Sequence, residues 1–140
     1  KVYLAAADGA SQYNDRRGMP SVVLAPNGRP GIIIPDAAAP TDLTTETLKK
    51  GAGAEITAQD TARVQYTAVD WGTRKVTSST WEDGASRAVT TGADIPFASQ
   101  LLGAPVGSQL PVVVPGASAG SSATAYVIDI LGIDPVTAAR

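Results

Sequence analysis

Residues 64–80 read VQYTAVDWGTRKVTSST, and the fold turns on how this stretch is read. With the preceding TAR it alternates: Ala62, Val64, Tyr66 and Ala68 fall on one face, with Arg63, Gln65 and Thr67 on the other. A period of two is the signature of a half-buried strand. Trp71-Gly72 then breaks the pattern, and KVTSST reads as a short returning strand that ends in hydroxyls.

Other strand signals recur around it. LTTETLKKG is rich in β-prone threonine and ends at Gly51 and Gly53. SRAVTT is a further short candidate. SQLPVVVP places Leu110, Val112 and Val114 on one face, and TAYVIDILGI places Tyr126, Ile128 and Ile130 together. FASQLL follows Pro96, which suits a first helical position, and is stopped by Gly103 and Pro105. The expected fold is α+β: an antiparallel sheet of five to six strands covered by one short α-helix near residues 97–102.

Residues 1–40 read differently. AAADGASQYNDRRGMP has no sustained period and reads as linker, while SVVLAPNGRPGIIIP offers two apolar runs about an Asn27-Gly28 turn signal. The prolines beside that turn favour an edge ribbon. The organisation expected is a leader with a β-ribbon over 1–40, a domain over 41–134 and a tail over 135–140. Lys1 in place of an initiating Met suggests a processed or trimmed chain.

Composition removes several functions. The 140 residues include no Cys and no His, which excludes thiolate nucleophiles, disulfides, Cys/His zinc sites and Ser-His-Asp catalysis. A net charge of -2 offers no polycation, so nucleic acid is not an expected partner. No apolar run approaches the roughly 18 residues that a membrane span requires. A dyad of Lys75 with Ser78 or Ser79 is not the expected chemistry. Glu82-Asp83 beside Gly84 reads as a solvated turn, and GAGAE is not a dinucleotide fingerprint.

Three pieces of the chain, in order, resemble the FKBP family of peptidyl-prolyl isomerases. GAGAEITAQDTARVQYTAVDWGTRKVTSST is similar to that family's first strands, IPFASQLLGAPVGSQLPVVVP to its Ile-Pro-Gly-aromatic segment and helix, and SSATAYVIDILGI to its closing strand. The likeness covers residues 41–134. The leader also resembles the segment ahead of the second domain in secreted bacterial tandem-FKBP proteins, which implies an upstream FKBP-like domain and an extracytoplasmic location. The resemblance implies a half-barrel sheet wrapped on a short helix, proline-containing polypeptides as partners, and neither cofactor nor metal.

It also implies a site. Tyr66 matches the pocket tyrosine, Ile95 the isoleucine whose N–H meets the substrate carbonyl, Phe97 the aromatic of the pocket floor, and Tyr126 the aromatic of the last strand, with Val127 as its rival. Val76 stands for a phenylalanine wall and Thr77 for an aspartate. Val112 and Val114 are further substrate-binding candidates. The glycine after Ile95-Pro96 is missing, and the tyrosine-bearing flap after Val114 is replaced by PGASAGSSA. These departures imply a weakened isomerase acting on X-Pro bonds. The alternatives are an inactive FKBP-like binding or chaperone module, or a structural domain supporting an active one. With Thr77 neutral and no histidine present, activity is expected to stay flat from about pH 5.5 to 8.

Overall fold

A computed structural model describes residues 10–11, 21–24, 30–34, 43–47, 49–57, 60–83, 86–90, 97–116 and 122–134. In chain order these form strands β1 (Ala10–Ser11), β2 (Ser21–Leu24), β3 (Pro30–Ile33), β4 (Thr44–Thr45), β5 (Lys49–Lys50), β6 (Thr61–Asp70) and β7 (Val76–Ser79). A single helical turn, α1 (Thr80–Asp83), separates β7 from β8 (Arg87–Thr90). A 3-10 turn at Ala98–Leu101 precedes β9 (Gln109–Val114) and β10 (Thr124–Asp134).

The eight-stranded sheet is ordered β1-β5-β9-β10-β6-β7, with β4 also on β9 and β8 also on β6. β2 and β3 form a separate antiparallel ribbon, with Leu24 opposite Pro30. The Asn27-Gly28 turn read from the sequence lies outside the described residues. The expected count of five to six strands is too low. LTTETLKKG, read as a single strand signal, forms two strands of two residues each, β4 and β5, and β1 adds a third two-residue strand, too short to show any period.

Strands β6, β10 and β9 form the centre because each alternates. Tyr66 lies opposite Ile128, and Ile128 opposite Leu110, so the apolar sets of all three strands meet on one face. There they bury Val64, Tyr66, Leu110, Val112, Ile128 and Ile130 with Phe97, Leu101 and Ile56. The half-buried reading of β6 is corrected: every residue from Val64 to Val69 is buried. On the reverse face Val69, Trp71, Val113, Ala123 and Ala125 form a second core closed by Ile34, with Ile32 packed against it. Ile32 belongs to β3 and Ile34 follows it directly, so an apolar run within residues 1–40 covers the back of the sheet.

The expected α-helix at residues 97–102 is also corrected, to one 3-10 turn. Gln100 N–H bonds to Phe97 O at 2.9 Å, an i to i+3 closure. Helix cannot continue, because Leu102 is already extended and Gly103, at φ +81°, turns the chain back. Its N–H then reaches Ile56 O at 2.7 Å, which ties the turn to the segment before β6.

Candidate functional site

The sheet and the 3-10 turn bring three aromatic rings together. The centroids of Tyr66 and Phe97 lie 5.2 Å apart, those of Phe97 and Tyr126 5.1 Å, and those of Tyr66 and Tyr126 6.2 Å. All three pairs are tilted by 58–59°, an arrangement that sets positive ring edges toward negative faces. Phe97 is 0% exposed and Tyr66 7%, while Tyr126 is partly open. The cluster is therefore an apolar floor with one accessible shoulder.

Thr80 fixes Tyr66 in the strand. β8 pairs with residues 61–64 of β6 and β7 with residues 67–69, so the ladder lapses at Gln65 and Tyr66. The Thr80 hydroxyl fills that gap: it accepts the Tyr66 N–H at 2.8 Å and donates to Gln65 Oε1. Thr80→Val keeps the shape and removes the partner, so it is expected to cost about 1–2 kcal/mol by leaving a backbone donor unpaired. Thr80→Ser should cost less. Urea titrations of the two variants check this, and an equal loss in both would show that the methyl group is what matters.

The polar edge of the cluster is the Tyr66 hydroxyl. Arg87 Nη1 donates to it at 3.0 Å, and Ser78 Oγ lies 3.5 Å away. Sequence reasoning missed Arg87, although the period of SRAVTT carried the signal. Val89 is buried opposite Ala62, so Arg87, two residues earlier and opposite Val64, shares its face.

Burial, and then the neighbouring Tyr66 charge, raises the Tyr126 hydroxyl above the ordinary 10.0. The neutral phenol is thus favoured more in the folded chain than in the unfolded one. The resulting stabilisation is complete below about pH 10 and is lost as pH rises through the higher folded value. Denaturation midpoints followed from pH 9 to 11.5 should fall less steeply for Tyr126→Phe than for the wild type. Parallel curves would contradict this.

The remaining candidates are placed unequally. Val112 is wholly buried in the core beneath the cluster, and Val114 is partly buried against it. Val76 is 46% exposed, and Thr77 is exposed with its hydroxyl on Ala68 O at 3.4 Å. Neither stacks on the rings; from β7 it is Ser78 that comes nearest the Tyr66 hydroxyl. Val127 is fully buried, whereas Tyr126 joins the rings. Ile95 and the flap at residues 117–121 lie outside the described residues. A cleft of about 600 Å³ beside the 3-10 turn is lined by Glu46, Lys50, Glu55, Leu102 and Pro105, among others, and shares no residue with the aromatic cluster. Its mixed charges suit water better than a proline ring.

No protein-family model matches the chain, and no curated protein does. Solved structures do. FkpA from Escherichia coli superposes with a TM-score of 0.59 at 17% identity, covering 86% of this chain and 54% of that one. A multi-domain immunophilin from Arabidopsis thaliana gives 0.58 at 14% identity, covering 71% and 45%. A peptidyl-prolyl cis-trans isomerase from Pseudomonas syringae gives 0.56 at 17% identity, covering 86% and 84%. The chain has an FKBP-like fold, as these immunophilins do. It spans about half the length of the first two.

Proposed function

We propose that the chain is an FKBP-type peptidyl-prolyl isomerase domain of weakened activity, with the aromatic cluster as its proline site. The observation that carries this is the convergence of Tyr66, Phe97 and Tyr126 on the main core face of an FKBP-like sheet. The chemistry needs neither thiol nor imidazole. Amide resonance sets a barrier of about 18–20 kcal/mol, and twisting the X-Pro bond removes both the resonance and its charge separation. An apolar floor therefore favours the twisted amide over the planar one, and a hydroxyl at its rim can hold the carbonyl. Val76, 46% exposed, does not close over the rings, which leaves the amide wetter and the effect smaller.

The substrates proposed are X-Pro bonds of secreted or envelope proteins, with the chain lying outside the cytoplasm beside an upstream FKBP-like domain. A second reading, a binding or chaperone module without catalysis, draws support from the dense packing of the cluster, in which Phe97 has no exposed surface. A protease-coupled assay on an Ala-X-Pro peptide separates the two. Isomerisation faster than the uncatalysed tens to hundreds of seconds, and reduced by Tyr66→Phe, supports the enzyme. Binding of the peptide with no acceleration supports the module, and neither result would remove the site.

A further inference from the structure

We propose that the site selects proline peptides that carry a carboxylate beside the proline, held by Arg87 together with the Tyr66 hydroxyl. The inference rests on the reading of the aromatic cluster as the proline site and names the substrate class.

Arg87 stands opposite Val64 at the edge of β6, on the face where Val89 enters the core. An arginine there could have turned wholly to solvent. Instead Nη1 donates to Tyr66 Oη at 3.0 Å, which sets the guanidinium at the rim of the rings. Among the described residues Arg87 makes that hydrogen bond and no ion pair, and it is exposed. The neighbouring strand β7 is Val-Thr-Ser-Ser and contributes no charge.

A guanidinium has five N–H donors in a planar fork that matches a carboxylate. One is used here, leaving donors for a ligand. The contact also orients the phenol. Its oxygen accepts from Arg87, so its own proton is available, and Ser78 Oγ at 3.5 Å is too distant to hold it firmly. The rim thus offers a cation and a neutral donor side by side against an apolar floor. A ligand that satisfies all three has a ring, an amide carbonyl and an adjacent anion, which describes Glu or Asp next to proline.

The test uses two pairs of blocked tetrapeptides, Ala-Glu-Pro-Ala against Ala-Gln-Pro-Ala and Ala-Ala-Pro-Glu against Ala-Ala-Pro-Gln, with affinities measured by calorimetry at low salt. In at least one pair the acidic peptide is expected to bind about three- to tenfold more tightly than its amide isostere, the range for an exposed but well-aligned charge pair. The preference should shrink at high salt and vanish in Arg87→Gln, whose fold is checked by circular dichroism. Equal affinities within both wild-type pairs would overturn this inference and leave the proline site standing. A preference that survives Arg87→Gln would also overturn it. Failure of all four peptides to bind would overturn the proline site and this inference with it.

Discussion

Phe97→Ala is expected to lower the unfolding free energy by about 3–5 kcal/mol, as for a fully buried aromatic truncated to a methyl. Phe97 is among the largest wholly buried side chains of the chain and packs on both tyrosines. Total stability of such a domain is about 5–15 kcal/mol, so this one change removes a large share of it. The tethered 3-10 turn can collapse only slightly into the void, because Gly103 N–H is bonded to Ile56 O. Phe97→Leu keeps most of the volume and should cost about 1.5 kcal/mol or less. Urea unfolding of both variants measures the difference. A loss below about 1 kcal/mol for alanine would mean that the cluster is loosely packed.

The second large effect is expected at Gly51. A Cβ there would lie 1.9 Å from Val106 O, 2.6 Å from Val106 C and 2.7 Å from Gly107 C, all backbone atoms. The backbone cannot give way cheaply. Gly51 N–H bonds to Ser108 Oγ at 3.0 Å, Gly53 N–H to Val106 O at 3.1 Å, and Val106 N–H to Ala54 O at 2.9 Å. Gly51→Ala must break part of this set, at a cost of about 2–3 kcal/mol or more. Because the same segment anchors the turn that carries Phe97, the site should loosen as well. Thermal unfolding of Gly51→Ala within a degree or two of the wild type would contradict the close approach.

The contrast between these two positions shows what the sequence makes legible. Strands β6, β9 and β10 could be read because each keeps a period of two over six or more residues. The meeting of Tyr66, Phe97 and Tyr126 followed from family resemblance together with that period. Of the two-residue strands, β1 was hidden and β4 and β5 were read as one, since two residues carry no pattern. The 3-10 turn was read as α-helix because Pro96 and Gly103 mark ends without stating the pitch between them. Ile32 and Ile34 sit in a run that read as an edge ribbon, and only tertiary contact reveals that they close the reverse face. Thr80 escaped notice for a related reason: its hydroxyl serves a gap in the ladder that exists only once β7 and β8 share one edge of β6.

The most direct test of the account is a side-chain-resolved NMR titration of the labelled chain with a blocked Ala-Ala-Pro-Ala peptide. Binding at the aromatic cluster predicts that the ring signals of Tyr66, Phe97 and Tyr126 shift together, with the Arg87 guanidinium following them. No shift at those rings, or shifts confined to Glu55, Leu102 and Pro105 in the neighbouring cleft, would contradict it.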